Sequence, residues 1–171
     1  MENACIHIYY GDGKGKTTAS VGLALRCCGR GFKVGFTSFL KNFKSGELIN
    51  APFKVFSDYP VEGFWYTFDE AKRAKVRSDA LKNLDEVFSA AKAEKLDLLV
   101  LDEVLNAVTL GCLSEDTLIK YLDNKPEGLE VVMTGRSTTE KLSKMADYIS
   151  EIRAVKHPYD RGQKSRLGIE E

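Results

Sequence analysis

The chain has 171 residues, 43% of them hydrophobic, which is enough to bury the core of one domain without disulfides or metal staples. Its 25 lysines and arginines are balanced by 25 aspartates and glutamates. The overall charge therefore gives no reason to expect binding to nucleic acid or to an anionic membrane surface, and partners have to be inferred from local sites.

The first residues and the cysteines bear on the cellular compartment. Residues 1–4 lead directly into a short apolar stretch, without a basic secretion signal or an apolar segment of membrane-spanning length. The cysteines, Cys5, Cys27, Cys28 and Cys112, show no C-x-x-C spacing, and we expect them to be reduced and buried. The sequence therefore predicts a soluble, cytoplasmic protein.

Short apolar, β-prone runs alternate with longer segments of helical period along the chain. Strands are expected at residues 5–10, 34–40, 53–56, 98–101, 130–134 and 148–155. This alternation is typical of a parallel sheet with helices on both faces. Because no repeat, linker or low-complexity segment divides the chain, we expect residues 1–171 to form a single α/β domain with a mostly parallel sheet.

The helices between these strands have recognisable starts. The first should follow the strand at 5–10, and capping boxes at 67–70 and 137–140, together with Ser114, predict the starts of three later helices. The helix after residue 70 is long, and its apolar face is expected to contain Leu81, Leu84, Phe88 and Ala91. The polar tail after Val155 is expected to lie as a loop over the sheet edge or the site.

A glycine-rich segment connects the first strand to the first helix. It consists of Gly11, Asp12, Gly13, Lys14, Gly15, Lys16, Thr17 and Thr18. Glycines let successive backbone N–H groups turn toward phosphate oxygens, and the helix N-terminus adds its positive end. Lys16 would supply a mobile charge and Thr17 the hydroxyl that ligates Mg²⁺ in P-loop proteins. The sequence thus predicts a P-loop NTPase-like fold that binds ATP.

The loop departs from the complete P-loop motif. G-x-x-x-x-G-K-[ST] requires glycine at position 10, where this chain has Tyr10, so the loop is one residue short. The alternative to a phosphate site is a glycine-rich turn with solvated lysines. A strand before the loop and a helix after it favour the phosphate site.

The second half of a P-loop site is a carboxylate at the end of another buried strand. The apolar run at 98–101 is followed by Asp102 and Glu103. Mg²⁺ prefers oxygen ligands and takes only one or two carboxylates beside phosphates and water. We therefore expect Asp102 or Glu103 to hold Mg²⁺, or Mn²⁺ in its place, together with Thr17. The alternative is that both carboxylates only cap the next helix.

Three other patterns have simpler explanations. Residues 124–127, NKPE, resemble a damaged guanine-reading motif, but they follow a predicted helix and are interpreted as a turn. His7 lies inside a strand and is expected to be a packed or sheet-edge histidine rather than a ligand. His157 lies in a loop beside a proline, with no second His or Cys nearby, so we do not expect it to bind a metal.

Seven segments in order carry a resemblance to a known family. They are GDGKGKTTA at 11–19, GLALR at 22–26, SFLK at 38–41, EGF at 62–64, LDE at 101–103, TGR at 134–136 and VKHPYD at 155–160. On the basis of these segments, the chain resembles the P-loop type of the ATP:corrinoid adenosyltransferase family. The resemblance extends from about residue 6 to residue 170. The short P-loop, the TGR strand end and the tail are features of this family, and the last two separate it from generic P-loop ATPases.

The resemblance implies a particular reaction. In this family a Co(I) corrinoid attacks the 5′ carbon of ATP and triphosphate leaves whole, so cobalt is the nucleophile and no Ser, Cys or His is needed. The protein has to orient cobalt against carbon and stabilise the charge that builds on the triphosphate. Lys16, the loop amides and Mg²⁺ held through Thr17 and Glu103 fit that task. The short loop binds the triphosphate in reverse direction in this family.

Further site residues are implied in the same way. Arg26, Lys41 and Arg136 match family positions near the nucleotide, and the alternative for each is a solvated charge at a helix or strand end. Phe64 and Tyr66 resemble an aromatic pair that displaces the lower axial ligand of cobalt, because a four-coordinate Co(II) is easier to reduce. Here the tryptophan of that pattern stands at the spacer, Trp65. The alternative for these aromatics is ordinary packing.

The chain departs from the family at two places, and two rival functions fit the same phosphate loop. Asp12 replaces an asparagine of many relatives, and the segment that precedes the first strand in several relatives is almost absent. The resemblance implies a homodimer, with a flavoprotein as reductant. The rivals are an ATPase or kinase in which Glu103 activates water or an acceptor, and a corrinoid- or ATP-binding module without turnover.

Overall fold

The computed structural model describes residues 2–41, 45–56 and 59–169. Its six strands are β1 (Ile6–Tyr10), β2 (Val34–Ser38), β3 (Lys54–Phe56), β4 (Leu98–Asp102), β5 (Glu130–Gly135) and β6 (Tyr148–Glu151). The α-helices are α1 (Lys16–Cys28), α2 (Gly46–Ile49), α3 (Glu70–Glu94), α4 (Val104–Thr109), α5 (Glu115–Asp123) and α6 (Glu140–Met145). Two short 3₁₀ turns cover Trp65–Thr67 and Pro158–Arg161.

The strands form one sheet in the order β3-β2-β4-β5-β1-β6. Every pairing among the described strands is parallel, which confirms the predicted α/β fold. All six predicted strands are present, although β2 and β6 end earlier than expected. β4 and β5 lie between β1 and β2, so the carboxyl ends of these four strands meet at one edge, where open α/β sheets bind ligands.

Helices cover both faces of the sheet. Successive side chains of β4 point to opposite faces, and those on each face lie in a buried cluster. Leu98 and Val100 point to one face, in a buried cluster with Ala24 of α1. Leu99 and Leu101 point to the other face, in a cluster that includes α3. β4 is buried along its whole length because neighbouring strands flank it and both faces are covered. This central strand can therefore hold a polar residue at its end in a fixed position.

Several details of the predicted helices are corrected. α3 is capped by Asp69 rather than Thr67, since the Asp69 carboxylate accepts a hydrogen bond from Lys72 N at 2.8 Å. α6 is capped by Thr139 rather than Ser137, whereas Ser114 does precede α5. Leu81 is 47% exposed, because the buried face of α3 runs through neighbouring positions, namely Val76, Ala80, Leu84, Val87, Phe88 and Ala91. In the part of the chain that is described, no helix is long and apolar enough to cross a membrane.

Candidate active site

The glycine-rich loop runs from the end of β1 to the start of α1. Gly11 and Gly15 have φ values of 124° and 117°, which side chains other than glycine rarely adopt. Space also requires glycine, since a Cβ on Gly11 would lie 2.3 Å from the carbonyl oxygen of Ile152. Gly13 N donates to the same oxygen at 2.8 Å. The loop is therefore fixed against the end of β6 as well as by its own conformation.

A cavity of about 620 Å³ opens beside this loop, within the range of small-molecule sites. It brings together most of the predicted nucleotide residues: Gly13, Lys14, Gly15, Lys16, Thr17, Thr18, Lys41 and Glu103. His157, Gly168 and Ile169 of the tail also line it, and Lys14 Nζ donates to the Ile169 carbonyl oxygen at 2.5 Å. The expectation that the tail lies over the site is thus confirmed.

Lys16 is the first residue of α1, and its ammonium group folds back over the loop. Nζ donates to the Gly13 carbonyl oxygen at 2.7 Å. Burial lowers the pKa of Lys16, and the nearby charge of Glu103 acts in the opposite direction. A partly desolvated cation at the N-terminus of a helix is well suited to bind phosphate oxygens.

Asp102 is completely buried and hydrogen-bonded on both carboxylate oxygens. Oδ1 accepts from the hydroxyls of Thr17 at 2.9 Å and Thr134 at 2.7 Å, and Oδ2 lies 2.5 Å from Lys41 Nζ. Lys41 Nζ also lies 3.5 Å from Thr17 Oγ1. Both carboxylate oxygens therefore have protein donors, and Asp102 orients Thr17 and Lys41.

Glu103 lines the cavity, in contrast to its neighbour. Its φ is 61°, an uncommon conformation for a residue with a side chain, and its backbone N donates to Thr134 Oγ1 at 2.8 Å. Asn106 Nδ2 donates to Oε2, so one oxygen of the carboxylate is oriented by a side chain of α4. Burial, followed by repulsion from Asp102, raises the pKa of Glu103. The Thr17 hydroxyl and the Glu103 carboxylate are oxygen donors of the kind that fits Mg²⁺.

A second cavity of about 500 Å³ lies on the other side of the loop. It is lined by Gly11, Asp12 and Arg136, among other residues. Arg136 N donates to Asn106 Oδ1 at 2.7 Å. Burial is the main cause that lowers the pKa of Lys16, and the guanidinium charge of Arg136 acts in the same direction. The Asp12 carboxylate accepts from Ala154 N at 3.0 Å, a bond that lowers the pKa of Asp12. The Asp12 carboxylate thus connects the loop to the backbone that follows β6.

Arg26 is separated from the other predicted nucleotide residues. It lies in the last turn of α1, about 15 Å along the helix axis from Lys16. Its side chain is exposed and does not line the main cavity of the single chain. Its role at the nucleotide stays a prediction.

The predicted aromatic segment lies between β3 and α3, and Val61 N links it to the Lys41 carbonyl oxygen at 2.9 Å. Phe64 and Tyr66 are 67% and 74% exposed, and their rings stack with centroids 5.5 Å apart. Trp65 instead turns inward and packs against the core. Phe64 and Tyr66 are therefore not core residues, whereas the residue between them is partly one.

Sequence reasoning missed several residues of the site. Thr134 was noted only as part of the TGR segment, yet its hydroxyl joins Asp102 to Glu103. Asn106, which contacts both Glu103 and the residue Arg136, was not considered. Asn106 could have been found from its spacing, because a residue three positions after Glu103 on a helix lies beside it.

Comparisons with known proteins agree with these features. A family model described as ATP:corrinoid adenosyltransferase BtuR/CobO/CobP matches residues 2–170. The chain is 34% identical to the corrinoid adenosyltransferase of Escherichia coli strain K12, over 99% of this chain and 86% of that protein. It is 32% identical to corrinoid adenosyltransferase CobA of Salmonella typhimurium strain LT2, with the same coverage. For the corrinoid adenosyltransferase of Pseudomonas aeruginosa the identity is 30%, over 99% of this chain and 84% of that protein. Since the matches extend over almost the entire length, the chain belongs to the ATP:corrinoid adenosyltransferase family.

Proposed function

We propose that the protein transfers the 5′-deoxyadenosyl group of ATP to the Co(I) centre of a corrinoid and releases triphosphate. The observation that carries the proposal is the cavity at the shortened P-loop, which collects Lys16, Thr17, Lys41 and Glu103 in a member of this family. The exposed aromatic pair lies on a segment hydrogen-bonded to Lys41, so a second, flat substrate can reach the same edge of the sheet.

The phosphate side of the site has to bind and stabilise the leaving group. Lys16, Lys41 and the amides of the loop supply positive charge for the triphosphate, and Arg136 adds to the field. Thr17 and Glu103 would hold Mg²⁺, or Mn²⁺, while Asp102 keeps the Thr17 hydroxyl in place. The metal, when bound, would neutralise charge on the triphosphate.

The transfer step balances without a protein nucleophile. The electron pair of Co(I) forms the bond to carbon 5′, the carbon–oxygen bond breaks, and triphosphate leaves with the bonding pair. Cobalt is thereby oxidised to Co(III). The residues of the chain contribute position and electrostatics, which suffice for a displacement between two bound substrates.

Co(I) is produced when Co(II) gains one electron, and we propose that a flavoprotein donates this electron. Phe64 and Tyr66 would bind the corrin face and displace the lower ligand of cobalt, which makes that electron easier to add. We also propose a homodimer that acts in the cytoplasm. Light scattering and cell fractionation test these two points separately.

One observation favours the rival reaction at the β–γ bond. Glu103 lies in the cavity with a raised pKa, as expected of a general base that activates water or an acceptor. In that reaction the products are ADP and phosphate, or a phosphorylated acceptor, and no corrinoid is needed.

The deciding experiment identifies the products from ATP. Labelled ATP and Mg²⁺ are incubated with and without chemically reduced cobalamin, the anions are separated by ion exchange, and the corrin spectrum is recorded. We expect corrinoid-dependent triphosphate in step with adenosylcobalamin. Corrinoid-independent ADP as the main product would overturn the transferase proposal.

A further inference from the structure

Trp65 is the only tryptophan of the chain and stands between the two exposed aromatics. Its ring is partly buried, packs against the core and meets Phe68 nearly edge-on, with centroids 6.2 Å apart. The 3₁₀ turn begins at this residue. Because the Trp65 ring points inward from this turn, its neighbours Phe64 and Tyr66 are left pointing to solvent.

Two arginines of α3 hold the Trp65 ring. The guanidinium carbons of Arg73 and Arg77 lie 5.7 Å and 5.4 Å from its centroid. Residues four apart share one face of a helix, so both arginines approach from the same surface of α3. This spacing allows two cation–π contacts to a single ring.

The two arginines are themselves held in different ways. Arg77 donates to Glu70 Oε1 at 2.6 Å and to the Gly111 carbonyl oxygen at 3.3 Å, which connects α3 to the chain after α4. Arg73 Nε is buried and finds no hydrogen-bond partner within the described residues. A buried donor without an acceptor is unusual, and the guanidinium group that carries it lies against the Trp65 ring.

The turn also has hydrogen bonds on its outer side. Thr67 donates to the Phe64 carbonyl oxygen through both its backbone N, at 2.9 Å, and its hydroxyl, at 2.8 Å. The rings of Phe64 and Tyr66 are almost parallel, at 10°. Two exposed rings keep one orientation only if the backbone that carries them is fixed, and Trp65 is the partly buried side chain that attaches this turn to the core.

We propose that Trp65 is a positioning residue: held by Arg73 and Arg77, it fixes the turn that presents Phe64 and Tyr66 to the corrin. The inference rests on the proposed function, in which the pair assists the reduction of Co(II). Trp65 touches neither ATP nor cobalt in this role. A change at Trp65 therefore acts on the step that needs the pair and spares the transfer that follows.

The first test compares Trp65→Ala and Trp65→Phe with the wild-type protein. Adenosylation is measured from cob(II)alamin, with reduced FMN as the electron donor, and from chemically prepared cob(I)alamin. We expect Trp65→Ala to lower the rate from Co(II) about tenfold and the rate from Co(I) less than about threefold. Trp65→Phe should recover part of the loss, because a smaller ring still packs in the same place. Lys75→Met, which removes an exposed cation from the same helix, is the matched control.

Other outcomes have separate meanings. Equal losses from Co(II) and Co(I) would assign Trp65 to general structural support, and a rate from Co(II) within twofold of wild type would also overturn the proposal. If the wild-type protein forms no corrinoid-dependent triphosphate, the proposed function fails, whatever the variants do.

A second variant keeps the proposal testable if Trp65→Ala does not fold. Arg77→Met leaves Trp65 in place, so tryptophan fluorescence reports on this one ring. We expect acrylamide to quench the fluorescence of Arg77→Met more strongly than that of the wild-type protein. Relative to wild type, the rate of adenosylation from Co(II) should fall more than the rate from Co(I). Unchanged quenching would overturn the part played by Arg77, and stronger quenching with an unchanged Co(II) rate would overturn the link between Trp65 and the aromatic pair.

Discussion

The phosphate side and the aromatic side of the site are constructed in different ways. On the phosphate side, Asp102 is completely buried at the end of a central strand and joins Thr17, Thr134 and Lys41 through hydrogen bonds. On the aromatic side, Phe64 and Tyr66 are largely exposed, and the short turn that carries them is attached to the core through Trp65. The first region depends on buried charge, and the second on the orientation of side chains in water. Substitutions that remove buried charge on the phosphate side should therefore lower the free energy of unfolding. Substitutions on the aromatic side should instead slow the reduction of Co(II) and leave stability unchanged.

The largest effect is expected on the phosphate side, at Lys16. Lys16→Ala removes the partly buried cation at the start of α1, and we expect turnover at sub-saturating ATP to fall about 100-fold or more. The fold should persist, since the Lys16 side chain makes only one hydrogen bond within residues 2–41, 45–56 and 59–169, to the Gly13 carbonyl oxygen. Steady-state kinetics and circular dichroism measure the two effects, with Lys144→Ala on α6 as control. Unchanged activity would contradict the phosphate assignment.

Asp102→Asn tests whether the phosphate side depends on buried charge. The substitution leaves the Lys41 ammonium without its anion, and we expect a loss of about 2 kcal/mol in the free energy of unfolding, besides lower activity. Chemical denaturation measures the change. A second substitution, Lys41→Met, should recover part of the stability of Asp102→Asn if the unpaired charge is the cause. Equal stability of wild type and Asp102→Asn would remove the distinction between the two regions.

Glu103→Gln should separate metal binding from folding. Glu103 faces the cavity and makes no ion pair among the described residues, so removing its charge should leave stability almost unchanged. We expect the Mg²⁺ concentration for half-maximal activity to rise about tenfold, while ATP binding without Mg²⁺ is retained. Titration of activity with Mg²⁺, beside nucleotide binding in EDTA, checks both. A wild-type Mg²⁺ titration would show that Glu103 is not a ligand.

On the aromatic side, Phe64→Ala and Tyr66→Ala should each preserve stability, because both rings are exposed. We expect reactions started from Co(II) to slow by about fivefold to tenfold and reactions started from Co(I) to change less, because ligand displacement assists reduction and the later transfer needs mainly positioning. The two starting states are compared in parallel adenosylation assays. If both reactions lose equally, the aromatics serve only to bind the corrin.

The smallest effect is expected for Asp12→Asn. The asparagine side-chain oxygen can still accept the hydrogen bond from Ala154 N, and Asp12 lines the second cavity rather than the main one. ATP affinity should change by less than about twofold, which isothermal calorimetry can measure. Asp12→Ala, which cannot accept this bond, should weaken the attachment of the tail. A large gain in affinity for Asp12→Asn would place the carboxylate near the phosphates instead.

Much of the fold, and the grouping of the loop residues at one cavity, could be predicted from local patterns. The strand at 98–101 and the glycine-rich loop at 11–15 are recognisable because burial on both faces and inward-turned amides require particular residue types. Helix starts were less predictable, since Asp69 and Thr139 compete with nearby residues that have equal capping ability. Leu81 could not be excluded from the core, because the helical period does not say how wide the buried face is.

The sequence by itself determined the parallel α/β class, the position of the glycine-rich loop and the family, because each depends on residue types at short, fixed spacings. Only the tertiary structure showed that Asp102 and Glu103 have different surroundings, by placing one carboxylate among protein donors and the other in the cavity. It also decided that Trp65 packs inward while its neighbours face solvent. These distinctions depend on residues distant in sequence, such as Thr134 and Arg77, whose contacts exist only once the strands and helices have packed together.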